Sequence, residues 1–196
     1  MREPKVMGRP REFDEDEALA KIMDVFWAKG FEGATMSDLV TATGLKKGSL
    51  YAAFADKRAM YLKALALYDR TAIDRAVRLL TGTGAPEKRI GEFLQSAIDA
   101  VAIQKDRRGC FLCNASVDQA VLDPETKHSV KGSLVRLGRA LEEVLSELTV
   151  TSIDDKRHHA EAQHFLSVYF GLRVLAKGGH PVKALKDAKI AALRSI

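Results

Sequence analysis

Cysteine is scarce: Cys110 and Cys113 are the two among 196 residues. They cannot build the multi-bridge framework of a small secreted protein, so a reducing compartment is expected. With no second cysteine pair, no zinc site is expected, and Glu161 with His164 is a single copy of a motif that di-iron carboxylate sites need twice. No apolar run approaches the ~18–20 residues that span a bilayer, and the amino terminus has no apolar stretch resembling a signal peptide. The expectation is a cytoplasmic protein without a membrane partner. Period-two alternation is absent, which argues against sheet, and there are no internal repeats. Thr81 to Gly84 lacks the Gly-Lys-Ser/Thr of a phosphate loop, and no other cofactor signature is present. Nor does one sign of charge dominate. The net charge is +5, yet residues 1–61 hold ten basic and ten acidic side chains, so net charge locates no binding face.

What is present is apolar residue at helical spacing, in a chain 46% hydrophobic and 29% charged. Residues 1–12, with Arg2, Lys5, Arg9 and Arg11 among prolines and glycine, read as a flexible basic arm. Leu19, Ile22, Met23, Phe26 and Trp27 define a first helix with acid in its first turn and a stop at Gly30. Thr35 and Asp38 stand at capping-box spacing before a two-turn helix that Gly44 ends. A second short helix covers 46–54, with Leu50 and Phe54 on its inner face. Asp56 caps a long helix reaching Leu80 and the breaker at 81–86. Further helices are expected near 87–105, 110–121, 124–148, 155–177 and 181–195. The fold class is all-α, with roughly nine helices.

Two helices of about two turns around Gly44 are too short to fold alone and must pack on their neighbours through Met36, Leu39, Val40, Leu45, Leu50 and Phe54. That leaves Lys46, Lys47, Ser49, Tyr51 and Ala52 outward, with Lys57 and Arg58 at the next helix start. This slim basic face is the signature of a helix-turn-helix, which suits a major groove ~12 Å wide. Lysines on a helix are more often a solvated face, and Tyr51 alone more often packs; the ordered combination of cap, glycine turn, slim helix and basic arm raises the joint expectation.

Gly30, Phe31, Gly33, Ala34 and Thr35, then Leu39, the run Gly44-Leu45-Lys46-Lys47-Gly48-Ser49-Leu50-Tyr51, Phe54 and Lys57 together resemble the amino-terminal domain of TetR-type transcriptional regulators. The resemblance covers about residues 10–65 strongly; the remainder is similar in length and helix order. It implies a DNA-binding domain over 13–61 and a helical effector-binding and dimerisation domain over 62–196. It further implies phosphate contacts by Thr35 and Tyr51, and by Lys47 and Lys57 at helix starts, with Gly48 in the same stretch. Lys46, Ser49 and Ala52 would lie nearest the bases. Arg9 and Arg11 are candidates for the adjacent minor groove. Ala52 and Ala53 replace larger polar residues often seen after the tyrosine, which shifts specificity toward methyl contacts and DNA shape.

For residues 62–196 the expectations are dimerisation and sensing. The stretch 164–176 is apolar around most of its circumference, and Gly171 permits close approach. It is half of a four-helix, two-fold interface built from the last two helices, or the core of one subunit; periodicity does not separate these. A candidate effector pocket gathers Phe93, Ile98, Val101, Cys110, Phe111, Cys113, Asn114, Val117 and Tyr169, with Gln95 and Ser116 as further polar points. Plain core has the same signature. Cys110 at a helix start after Arg107 and Arg108 suggests a thiol sensor with a lowered pKa, against the commoner inert buried cysteine. The function expected is a ligand-responsive homodimeric repressor on double-stranded DNA with two half-sites, released by an unknown small molecule. The alternatives are a redox-sensing regulator acting through Cys110 and Cys113, or a helical-bundle enzyme or carrier with a docking module. No nucleophile, base and orienter set supports an enzyme.

Overall fold

A computed structural model describes residues 13–148 and 155–196, which are all-α. The basic arm, Arg9 and Arg11 included, lies outside the described residues. α1 (Glu15–Gly33) starts where the Asp14 carboxylate accepts from the Asp16 and Glu17 amides, satisfying two of the donors a helix start leaves unpaired. Regular helix breaks at Gly30, whose φ of 72° is in the left-handed region. The Thr35 hydroxyl and Asp38 carboxylate form the expected reciprocal box at the head of α2 (Met36–Thr43), and Gly44, at φ 73°, ends it. α3 (Lys47–Phe54) follows with Lys46 at its cap. α4 (Lys57–Tyr68) is capped by Asp56, whose carboxylate accepts from the Ala59 amide at 2.7 Å.

The rod from Lys57 to Leu80 carries an interruption that the apolar pattern does not show. A π-helical turn, Asp69–Ile73, separates α4 from α5 (Asp74–Leu80). No proline or glycine marks it. Its acids are held from outside the rod: Ser133 Oγ donates to Asp69 at 2.5 Å, and Arg136 pairs with both Asp69 and Asp74. These partners lie more than sixty residues away in sequence, which is why local reading misses the turn.

α6 (Pro86–Ala102), α7 (Phe111–Val117), α8 (Pro124–Ser146), α9 (Asp155–Lys177) and α10 (Val182–Leu193) complete the chain. With α4, the π turn and α5 taken as one rod, nine helices are described. α7 is shorter than the expected 110–121 because the chain leaves the helix at Asp118 for a series of tight turns. In the packing, α1 lies on α4, α8 and α6 flank α9, and α10 covers α6 and α9.

One hydrophobic core runs the length of the molecule. Ile22, Phe26, Leu39, Leu50, Phe54 and Met60 are its fully buried amino-terminal part. Aromatic edges then cross the expected boundary near residue 61. Tyr61 meets Phe26 and Phe31, each at 5.2 Å between centroids, Phe111 packs on Tyr61 at 5.6 Å and on Tyr68 at 5.8 Å, and Tyr68 meets Trp27 at 5.0 Å. Edge-on pairs of this kind add ~0.5–1.5 kcal/mol each beyond area burial, so the two halves are joined by a continuous stiff seam.

Candidate nucleic-acid interface

The two short helices are placed by three buried side chains. Leu39 of α2 and Leu50 and Phe54 of α3 are essentially inaccessible. Three-residue spacings fix what remains outside. Lys46, Lys47, Gly48, Tyr51 and Ala52 are exposed and Ser49 is half-buried, forming one slender ridge. The Lys47 ammonium lies 5.7 Å from the Tyr51 ring centroid, and no described residue hydrogen-bonds the Tyr51 hydroxyl. Lys57 sits 4.5 Å over the Phe31 ring. That cation–π contact anchors the stem and leaves the ammonium half-exposed at the α4 start.

α3 is joined to α4 by an unusual turn. Ala55 has φ 67° and ψ −71°, and the Asp56 amide donates to the Phe54 carbonyl at 2.9 Å. This is the γ-turn with positive φ, a strained conformation for any residue with a Cβ. It aims the outward ridge of α3 relative to the α4 rod.

Two basic or polar positions are otherwise engaged. Thr35 is exposed, but its hydroxyl donates to Asp38 Oδ2 at 2.8 Å and accepts from the Asp38 amide at 3.1 Å. Lys29 hydrogen-bonds the same carboxylate at 2.6 Å, and with the Thr35 amide it holds the Asp38 pKa down to about 2. A phosphate would have to displace this cap to use the Thr35 donor. Arg58 is exposed beside Lys57, as expected, but its guanidinium reaches across to α8. It pairs with Asp123 at 2.7 Å and Glu125 at 2.6 Å. The Asp123 pKa is lowered by the Thr126 hydroxyl foremost and by Arg58. Arg58 is therefore a tie between the rod and α8.

Two further ties escape sequence reading because each joins distant segments. Asp118 Oδ2 accepts from the Phe31 amide at 3.2 Å, so the end of α7 clasps the break in α1. A Cβ at Gly30 would come within 2.8 Å of the same oxygen, giving that glycine a second requirement besides its φ. Arg108 pairs with Asp24 at 2.6 Å and lies 4.0 Å over the Trp27 ring.

The expected effector residues do not converge. Phe93, Ile98, Val101, Cys110 and Phe111 are packed core, each at most 4% exposed, and line none of the described clefts. Phe93 is stacked on Tyr169 at 4.2 Å. Asn114, tied to Arg108 and Lys177, and exposed Val117 line a cleft of about 380 Å³ between α1 and α7. Tyr169 lines a different one, of about 280 Å³, with Trp27 and Arg173. Gln95 binds Asp99 and Lys189, and Ser116 donates to the Cys113 carbonyl. Core and pocket have one sequence signature, and only long-range packing separates them.

The thiols also differ from expectation. Cys110 is buried under the Tyr68 hydroxyl, 3.3 Å from its sulfur, and burial pushes the half-buried Cys113 thiol up rather than down. Arg107 donates to the Ala176 carbonyl and Arg108 is spent on Asp106, Asp24 and Trp27, so neither is held at a thiol.

On the outward side of α9, opposite its buried Phe165, Tyr169 and Leu172, lie Gly171, half-exposed, and Val174, 54% exposed. A Cβ on Gly171 would meet nothing within 4 Å. α10 continues this side with exposed Ala188 and Ile190. Among the described residues, no helix is long and apolar enough to cross a membrane.

Comparison with known proteins bears on this arrangement. Residues 18–64 match the family model described as bacterial regulatory proteins, tetR family. The chain is 29% identical to the HTH-type transcriptional repressor ComR of Escherichia coli K12, over 73% of this chain and 69% of that protein. It is 26% identical to the HTH-type transcriptional repressor BdcR of the same organism, over 94% and 89%. A solved structure of the TetR family regulator CifR, a cysteine mutant complexed with 26-bp operator DNA, superposes with a TM-score of 0.83. It is 28% identical and covers 95% of this chain and 98% of that one. The reduced form of Escherichia coli NemR, at 20% identity, shares the fold, with a TM-score of 0.77 over 90% and 93%. The matched segment spans α1 through the first turns of α4, and the fold is shared over nearly the full chain, which together support a TetR-type transcriptional regulator.

Proposed function

We propose that the protein is a cytoplasmic, homodimeric repressor that inserts α3 into successive major grooves of an operator and leaves it when a small molecule binds the carboxy-terminal helices. The observation that carries this reading is the outward ridge of α3. Lys46, Lys47, Gly48, Ser49, Tyr51 and Ala52 face solvent on a helix whose other side is locked by Leu50 and Phe54. Lys47, Tyr51 and Lys57 are assigned to phosphates, Lys46, Ser49 and Ala52 to base edges, and Thr35 to a phosphate that displaces Asp38 from its hydroxyl. One short helix makes too few contacts for selective binding, which calls for a pair of them about 34–36 Å apart. The outward side of α9 and α10 supplies a two-fold surface for that pairing. ComR and BdcR are named repressors and CifR was solved on operator DNA, which supports the same direction of control.

Ligand control needs a link between the halves, and the Arg58, Asp118 and Arg108 ties supply one. A shift of the rod relative to α8 would change the spacing of the two α3 helices. A coupling of about 1–3 kcal/mol corresponds to a 5–150-fold change in operator affinity.

The test is titration of the protein against duplexes from the neighbourhood of its own coding region at several salt concentrations. One duplex should bind at least a hundredfold more tightly than unrelated sequence, with affinity falling steeply as salt rises. Tyr51→Ala and Lys47→Ala should weaken binding, the latter reducing the salt slope of the dimer by about two, one per protomer. Equal weak binding to every duplex, unaffected by either substitution, would overturn the reading.

A further inference from the structure

The cleft of about 280 Å³ beside Trp27 holds two polar donors that the fold leaves unanswered. Its walls come from the end of α1, the π turn with α5, α6 and α9, and include Trp27, Arg75, Asp99, Ala100, Tyr169 and Arg173. Arg173 retains only 9% of its surface, and its Nε has no acceptor among the described residues. The guanidinium hydrogen-bonds the Tyr68 hydroxyl and lies near the Tyr169 hydroxyl, both phenols being pushed up by burial and so uncharged, and near the Cys110 thiol; it forms no ion pair with a described carboxylate. Asp106, which also feels its charge, is gripped through both oxygens by Arg108. A buried guanidinium without a carboxylate is costly and uncommon in a folded protein, since arginine does not deprotonate to escape.

The second donor is the Trp27 indole N–H, buried and likewise without an acceptor. Its ring cannot easily swing to find one, being held between the Arg108 guanidinium at 4.0 Å and the Tyr68 edge at 5.0 Å. Arg75 adds a second cation to the cleft rim. Asp99 is the one acid in the lining, and Gln95 donates to it at 2.8 Å. Ser96 and Gln104 add two neutral polar side chains, and Ala72, Ala76, Leu79 and Ala100 form an aliphatic wall. Two orphaned donors, an excess of positive charge and flat apolar walls call for an occupant with an oxygen anion at one end and a compact apolar body at the other.

We propose that this cleft binds a small organic carboxylate, its oxygens taken by Arg173 and the Trp27 indole N–H and its apolar body lying between Tyr169 and the alanine-lined wall of the π turn and α5. Such an occupant touches α1, the rod and α9 at once. The π turn gives the rod a local irregularity at the cleft wall, where Ala72 lies, and π turns inside helices are recurrent at functional sites. Carboxylate binding stands by itself. Its effect on DNA rests on the repressor reading above.

Trp27 is the single tryptophan of the chain, so its emission reports on the cleft directly. The probes are sodium benzoate, phenylacetate and hexanoate, titrated into the DNA-free protein at constant ionic strength, with benzamide as the neutral isostere of benzoate. At least one carboxylate should change the emission saturably, benzamide should bind at least tenfold more weakly than benzoate, and Arg173→Gln should weaken the carboxylate at least tenfold. If Arg173→Gln does not fold, Ala76→Leu, which narrows the cleft without altering charge, should produce the same loss. Absence of saturation with all three carboxylates overturns the proposal, as does benzamide binding as well as benzoate. Operator binding is measured in parallel on the same samples. A saturable emission change without release of DNA leaves the carboxylate site standing and rejects ligand control through it.

Discussion

The clasp between α7 and α1 sets up a mutant cycle with a definite sign. Gly30 is at φ 72°, and a Cβ there would lie 2.8 Å from Asp118 Oδ2, the atom that accepts from the Phe31 amide at 3.2 Å. Gly30→Ala therefore carries two costs. Holding alanine in the left-handed region costs about 1–2 kcal/mol. Pushing the carboxylate away removes a half-buried hydrogen bond to a charged acceptor, worth about 1–2 kcal/mol. Together these amount to roughly 2–4 kcal/mol, or a fall in Tm of about 4–16 °C for a chain of this size. Asp118→Ala alone removes only the hydrogen bond, about 1–2 kcal/mol. In Gly30→Ala/Asp118→Ala the clash has no target, so the double variant should cost about as much as Gly30→Ala alone. The singles should thus overshoot the double by about 1–2 kcal/mol. The assay is urea unfolding followed by far-ultraviolet circular dichroism, at one fixed protein concentration because a dimer's stability depends on it. Strict additivity, or a Gly30→Ala variant as stable as the parent, would refute the clasp.

Other expectations follow from the same packing. Ala55→Gly relieves the positive-φ γ-turn and should raise stability by about 0.5–1 kcal/mol after the entropy glycine adds to the unfolded chain, read as a higher urea midpoint. Asp38 titrates lower when folded, near pH 2, than when unfolded. Its ionised form therefore adds stability that is fully present above the ordinary carboxylate pKa near 3.8 and is lost as pH falls toward 2. The gap in Tm between the parent and Asp38→Asn should narrow across that window. Leu50→Ala empties a fully buried position under α3 and should cost about 2–4 kcal/mol, with loss of DNA binding in step with unfolding. Val174→Glu, on the outward side of α9, should yield a folded monomer by light scattering with operator affinity at least a hundredfold weaker. A dimer that still binds would place the interface elsewhere.

Local chemistry made much of the amino-terminal third legible. The capping box of Thr35 and Asp38, the left-handed Gly44 and the Asp56 cap each close within a few residues, and each is where the spacing places it. The inward Leu50 and Phe54 and the slim outward face of α3 follow from the four-residue period of a helix. Helix order through the carboxy-terminal part was readable for the same reason, with 155–177 placed to the residue. Nothing comparable marks the π turn, because Ser133 and Arg136 hold it from α8.

The sequence by itself determined what depends on neighbours in the chain: where helices start and stop, which side of each is apolar, and which short helix is slender and basic enough for a groove. Tertiary structure decided what depends on approach across many residues. It tied the still exposed Arg58 to Asp123, put Asp118 on the α1 break, and packed Phe93, Ile98 and Phe111 into solid core rather than a pocket. It also left Arg173 and Trp27 without acceptors in a shared cleft. An unmet donor is a property of everything that fails to come near it, and that is fixed only when all the helices are in place.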